Sequence, residues 1–359
     1  MALNSSGAIS LAGSTAGQSI SNEFRSITTS TTSLSEYYRG GTYVGPHNGP
    51  VATSGAISIG SFYGAAKRNI KTITYTSNAS NVNIQTSSVS GYSAGWTDLE
   101  VAVSSGVTIS ASGGNSALSI ASGFASGDTI YINNYGTIAG QGGNGGNAGA
   151  NGGAGYPAIN LNPASYANVR ITNQSGAIIA GGGGGGGGGM AATATVPSGY
   201  SYASGSVRGG GGGGGAGQTA GSGGSYGGYS ISTGPYWSTT SNGGAGSATA
   251  GGAASGYDGI YYYSVNNYYL LAGGAGGAGG ARGANGSAGG QAYFNGPGGV
   301  TYIAQSTSPG TYYPPTGATG TMQSGYPVGS GGAAGYGITG TNKLSQPTTN
   351  NGTIYGPTG

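Results

Sequence analysis

The sequence predicts an all-β protein joined to a bundle of polyglycine II helices, and three observations predict it. Glycine supplies 86 of 359 residues while charged residues make up only 4%, against an average glycine usage of roughly 7%. Glycine recurs at every third residue, at 274, 277, 280, 283, 286 and 289 and again at 140, 143, 146, 149, 152 and 155. Between these tracts lie short segments in which Val, Ile and Leu alternate with polar residues, the period-two signature of half-buried strands.

The glycine tracts organise the rest. A second phase, Gly273, Gly276 and Gly279, overlays the first, and Gly181–Gly189 and Gly209–Gly215 are glycine only. A period of three fits neither an α-helix nor a strand. It fits the polyproline II helix, with three residues per turn and a rise of about 3.1 Å. Such a helix makes no internal hydrogen bonds, so a buried one must pair with neighbours. A glycine edge has no Cβ and lets another backbone approach closely. Flexible linkers are the ordinary reading of glycine-rich tracts. A phase held from 140 to 155 and from 274 to 289, and the alternation with apolar segments, argue for order. Collagen would place Pro in the other positions, and these two tracts hold none.

Along the chain, residues 1–66 are polar and carry a duplicated phrase: Ser6-Gly7-Ala8-Ile9-Ser10-Leu11 recurs as Ser54-Gly55-Ala56-Ile57-Ser58-Ile59. Each copy reads as a strand-like unit, and the segment as a whole as too short and polar for a large core of its own. Residues 67–139 read as a β-domain, a sandwich or a small β-solenoid, with Trp96 and Phe124 in its core. Residues 140–359 hold the glycine bundle. A strand leads into a tract three times: Ile132–Gly140, Ile171–Gly181 and Val265–Gly273. Internal repeats of this kind predict one stacked architecture. The Pro-rich stretch 306–359 is expected to wrap the surface.

Tyrosine concentrates late in the chain, with 18 of 28 at or after residue 200. Tyr200, Tyr202, Tyr226, Tyr229, Tyr236, Trp237, Tyr257, Tyr261, Tyr262, Tyr263, Tyr312 and Tyr313 lie in segments between tracts or after them. With Ser, Gly and Asn they form the vocabulary of adaptable binding loops, offering flat contact area at low entropy cost. The alternative is a small apolar layer capping the tracts.

Catalytic chemistry is sparse. The net charge is +3, and only Lys67, Arg68 and Lys71 cluster, so no nucleic-acid footprint is read. There is no Cys, hence no disulfide or thiolate metal site. His47 is the single histidine and makes no zinc site without carboxylates. Asp98 and Glu100 share one face of a predicted strand, as a weak cation site or a solvated edge; Asp128 and Asp258 stand alone. Matches to GxGxxG inside glycine runs carry no weight because no helix follows. The opening MALNSSGAISL lacks a basic n-region and a long apolar stretch, so no signal peptide is expected, and no apolar run is long enough to span a membrane. The chain reads as a non-enzyme with no cofactor and no metal.

The opening SSGAISLAGSTAGQSI with TSGAISIGSFYGAAK resembles the N-terminal segment of tailed-bacteriophage tail and fibre proteins. INNYGTIAGQGGNGG and QSGAIIAGGGGGGGGG resemble phage tail fibre and receptor-binding adhesins, some of which pack polyglycine II helices beneath variable loops. The resemblance implies a virion tail protein, made in the host cytoplasm, that attaches the particle to a bacterial glycan or outer-membrane protein without catalysis. It implies that residues 1–66 dock on another tail or baseplate protein through Ile9, Leu11, Ile20, Phe24, Ile57, Ile59, Phe62 and Tyr63. It leaves the copy number open between a homotrimer and a monomeric tip. The competing expectations are a purely structural virion part without a ligand, and an ice-binding or silk-like glycine protein.

Overall fold

The computed structural model describes residues 2–28, 32–162, 164, 168–195, 204–228, 236–238, 241–256, 258–264, 267–295, 301–303, 321–324 and 328–359. Strands dominate, and Ile20–Arg25 is the one α-helix among the described residues.

The central body is built from three parallel sheets. The first takes Asn69–Tyr75, Thr97–Val103, Thr129–Asn134, Asn168–Asn173 and Thr349–Asn350 in that spatial order. The second takes Ala79–Ser80, Thr108–Ser110, Thr137–Ala139, Ile178–Ala180 and Thr353–Tyr355. The third takes Val82–Ile84, Leu118–Ile120, Ile159–Asn160 and Ile338–Thr339. Successive coils of chain give one strand to each sheet in turn, so of the two expected β-architectures the solenoid forms and the sandwich does not. Strict alternation turns Leu99, Val101 and Val103 inward. Register then stacks like on like: Leu99 beside Ile130 and Val169, Val101 beside Ile132 and Ile171, and Ile109 beside Ile138, Ile179 and Ile354. Phe124 is buried in this core as expected. Trp96 is not part of it; its ring lies 6.4 Å from that of His47.

One interior column is polar. Asn134 and Asn173 are fully buried. Asn134 Nδ2 donates to Asn173 Oδ1 at 2.8 Å, and Asn173 Nδ2 donates to Asn350 Oδ1 at 2.9 Å. The same side chains cover turn carbonyls, those of Ile178 and Thr353. Every buried amide in the column thus has partners, which offsets the cost of taking it out of water.

The glycine tracts are insertions at a single corner of this body. The link from the second to the third strand of a coil is short at 111–117. It becomes 140–158 in the next coil and 181–337 in the one after. Residues 338–359 do not wrap the surface as expected: Ile338–Thr339, Thr349–Asn350 and Thr353–Tyr355 supply the last strand of each sheet. The third strand-to-tract unit also differs from the first two. Asn267–Ala272 belongs to a separate antiparallel sheet, so the likeness of sequence marks delivery into a tract, not a common stack.

Within the insertions, tract bonds to tract. Gly183, Gly186 and Gly189 donate to the carbonyls of Ala216, Gly213 and Gly210. Gly184, Gly187 and Met190 donate to Ala284, Ser287 and Gly290. Gly182, Gly185 and Gly188 donate to Tyr156, Gly153 and Ala150. The carbonyls of the same residues accept from three further tracts, 143–149, 274–280 and 329–335. Six backbones therefore surround 181–190. The second glycine-only tract is enclosed in the same way, by 143–146, 183–189, 221–224, 244–247, 252 and 274–280. Where a side of a tract is open, one phase in three carries a side chain: Gln141, Asn144 and Asn147, or Ala275, Ala278 and Ala281. The number of glycine phases counts the enclosed sides.

The long in-phase runs are not single rods. The first reverses at 147–150, where Ala150 N donates to Asn147 O and Gly149 has a φ of +73°. The second reverses at 281–284, with Gly283 at +63°. Each is an antiparallel pair that keeps its glycine phase through the turn.

Residues 2–66 pack a small core of their own. Leu3, Ile20, Phe24, Tyr37, Val44, Val51, Phe62 and Ala65 are buried together, and the rings of Phe24, Tyr37 and Phe62 meet at 6.1 to 6.4 Å. Three large aromatics supply enough apolar area to offset the polar composition. The helix is capped by Ser19 Oγ, which accepts from Asn22 N, and closed by Ser26 in the left-handed region. Neither copy of the duplicated phrase is a strand. Ser10 makes one isolated bridge to Ser19, and Ile59–Phe62 is a 3-10 turn.

Candidate functional site

The hydrogen-bond register gives the array two ends. At the solenoid end, Gly140 N donates to Ala180 O, Gly181 N to Tyr355 O and Gly335 N to Gly182 O. Among the described residues, tight turns lie there, at 217–219, 247–250 and 281–284. At the far end Gly189 N donates to Gly210 O, Met190 N to Gly290 O, Gly274 N to Met190 O and Gly329 N to Gly188 O. Ala148 N meets Ser225 O, Gly243 N meets Gly224 O, and Gly276 N meets Ser255 O. The long segments 191–208, 226–242, 257–272 and 291–328 all leave from this far end.

Their described parts pair with one another. Gly227–Gly228, Ser204–Gly209, Ala192–Thr195 and Thr321–Ser324 make one antiparallel sheet. Tyr236–Ser238, Asp258–Ser264, Asn267–Ala272, Tyr293–Asn295 and Thr301–Ile303 make another. Beneath them Met190, Ala191, Ala192, Val207, Leu271, Ala272 and Ala292 are fully buried. This apolar layer lies where the tracts end.

Tyr236 and Trp237 lie on the strand paired with Asp258–Ile260, and the register sets Tyr261, Tyr262 and Tyr263 beside Leu270, Tyr269 and Tyr268. Tyr226 is 39% exposed, and the Arg208 guanidinium lies 4.7 Å from the centre of its ring, a cation–π geometry. Tyr200, Tyr202, Tyr229, Tyr257, Tyr312 and Tyr313 lie outside the described residues. In the sequence Arg208 is one of nine scattered cations. Its signal was position, at the last residue before a glycine run, where the chain re-enters the array.

Three acidic residues, Asp98, Glu100 and Asp128, are engaged in structural contacts. Asp98 is neither a cation site nor a solvated edge, because its Oδ1 lies 2.7 Å from Arg68 Nη2. Glu100 Oε1 accepts from Asn133 Nδ2 at 2.8 Å. Asp128 is buried and accepts from Thr97 N, Ala125 N and the Tyr92 hydroxyl. Burial and that bond to Asp128 push the Tyr92 phenol up to about 12. No cluster of three or more metal-ligating side chains occurs among the described residues. Among these residues no helix is long and apolar enough to cross a membrane.

In the N-terminal unit Ile20, Phe24 and Phe62 are spent on its own core, and Ile9, Leu11 and Ile57 are half-buried against it. Of the residues expected to dock, Ile59 and Tyr63 stay outside, 37% and 39% exposed.

Residues 70–359 match the family model of the phage tail fibre adhesin Gp38. The chain belongs to that family. This adhesin is therefore a component of the phage tail fibre, and the match begins just after the N-terminal unit. No curated protein matches its sequence. A solved structure, the gp37-gp38 adhesin tip complex of the bacteriophage S16 long tail fiber, is similar over 85% of this chain and 87% of that one. The identity is 19% and the TM-score 0.33, too loose a likeness to add to the family assignment.

Proposed function

We propose that this adhesin fastens the phage to a molecule of the bacterial surface through segments 191–208, 226–242, 257–272 and 291–328, by adhesion without catalysis. The observation that carries this is the register of the array, in which every long segment leaves from the end remote from the solenoid. Composition fits the role. Arg208 and Asp258 are the charged residues of those four segments, beside many Tyr, Ser, Thr and Asn. Recognition then rests on ring stacking and hydrogen bonds, and is insensitive to salt. A surface glycan or the loops of an outer-membrane protein has that chemistry.

We infer further that the tracts are polyglycine II helices. Their support is the rotation of N–H groups among three neighbours with a period of three. A close-packed array of this kind holds the recognition segments in fixed positions, which lowers the entropy cost of binding. Residues 1–66 would attach to another tail fibre protein. Their position outside the family match and the exposed Ile59 and Tyr63 support that reading, and the β-coils from residue 67 onward would space the two ends.

The test is binding of the full chain to whole host cells, compared with a variant carrying Tyr261→Ala, Tyr262→Ala and Tyr263→Ala. Loss of binding at unchanged folding is expected. Equal binding by both proteins would remove this strand from the recognition surface.

A further inference from the structure

The N-terminal unit meets the solenoid at a small polar joint that the adhesive role does not use. Its centre is Ala66, the first residue of the linker. Asn48 grips Ala66 from both sides: its Oδ1 accepts from Ala66 N at 2.9 Å and its Nδ2 donates to Ala66 O at 3.0 Å. His47 Nε2 lies 2.9 Å from the same carbonyl, so Nε2 carries the proton and donates. That leaves Nδ1 as the bare acceptor, and it is buried with no hydrogen-bond partner. The ring packs toward Trp96 of the solenoid at 6.4 Å between centres. Gly45 is squeezed between the two: a Cβ there would fall 2.7 Å from both His47 and Trp96.

The surroundings admit a neutral imidazole and oppose a charged one. Two cations face it, Arg68 of the linker and Lys71 of the first strand. The carboxylates of the joint are engaged elsewhere. Asp98 is paired with Arg68, and Glu23 Oε1 accepts from Lys67 N at 3.1 Å. Burial, with Arg68 and Lys71 acting in the same direction and the bond to Ala66 against it, holds His47 below its ordinary value. A proton added at Nδ1 would be a buried donor with no acceptor.

We propose that this joint is an acid-sensitive hinge: protonation of His47 unseats its ring from Trp96, while the Asn48–Ala66 pair persists as the pivot about which the N-terminal unit turns. The amide pair has no titratable group in this range, so the pivot survives when the imidazole lock opens. The sign follows from linkage. The folded joint binds its proton less readily than the unfolded chain, so the lock is fully present above the ordinary histidine value and is lost as pH falls below it.

The chain has one histidine and two tryptophans, which makes the test clean. In the full chain with Trp237→Phe, Trp96 emission is followed from pH 8 to pH 4.5, with and without His47→Gln. A reversible change in Trp96 emission is expected below pH 6.5, absent in the His47→Gln protein. An unchanged emission, or a change that persists in His47→Gln, overturns the proposal. Should His47→Gln fail to fold, proton NMR of the lone imidazole in the unaltered chain decides. A midpoint below that of a free histidine, with Trp96 signals shifting in step, is the expected result. A midpoint at or above it, or Trp96 signals that stay put, overturns the hinge.

Discussion

Replacing Gly186 by alanine puts the glycine array under the most direct strain. A methyl built there falls 2.0 Å from Gly277 O, 2.5 Å from Gly277 C and 2.8 Å from Ala278 O. All three are backbone atoms, so no side chain can swing aside. Reaching the 3.4 Å of an ordinary contact requires tract 274–280 to retreat by about 1.4 Å. That retreat pulls apart the bonds Gly277 N to Gly187 O at 2.7 Å and Gly213 N to Gly277 O at 2.8 Å. Two lost bonds cost about 1 kcal/mol each, and residual overpacking about 1–3 kcal/mol, for a destabilisation of about 3–5 kcal/mol. The control is Gly227→Ala, whose added methyl meets nothing nearer than 3.8 Å and should stay within about 0.5 kcal/mol of the parent. Both variants share the same change in unfolded-chain entropy, so their difference isolates the packing. Urea unfolding of the two proteins measures it. Equal midpoints would refute the claim that tract 181–190 is enclosed on every side.

Asn173→Ala removes the middle of the polar column: one Asn134 Nδ2 proton loses its acceptor while the other keeps Ile178 O, and the Thr353 carbonyl loses its side-chain donor. A loss of about 2–4 kcal/mol in thermal unfolding is expected, and adding Asn134→Ala should cost less than Asn134→Ala alone. Tyr92 provides a pH signature. Its phenol is raised to about 12 by burial and by Asp128, so its contribution to stability is full below about pH 10 and falls as pH climbs toward 12. Tyr92→Phe should flatten that alkaline decline in urea midpoints, and an identical slope in both proteins would count against the buried Tyr92–Asp128 bond.

Much of this fold could be read from residue order, and the failures have physical causes. Alternation found the strands because each has one face in the core, as in Thr97–Val103. The glycine period found the tracts because a Cβ is excluded wherever two backbones touch. The reversal at 147–150 was invisible because its glycine, Gly149, falls in the same phase as Gly146 and Gly152. The corner at which the tracts leave the solenoid was hidden too. It depends on Ile159 pairing with Ile338, a contact that local pattern does not encode. Polar residues misled in both directions. Asn134 and Asn173 line the core although their residue type does not announce it, while Asp98, a weak cation site or a solvated edge by sequence, is paired with Arg68. At the far end of the array, Arg208 beside Tyr226 needed the strand pairing of 204–209 with 227–228 to be seen.

The measurement closest to the centre of this account is through-hydrogen-bond NMR coupling in the deuterated chain, which names the acceptor of each amide in 181–190. Gly183, Gly184 and Gly185 should couple to Ala216, Ala284 and Gly153, three tracts in rotation. Couplings that alternate between two neighbours, as in a pleated sheet, or none at all, would contradict it.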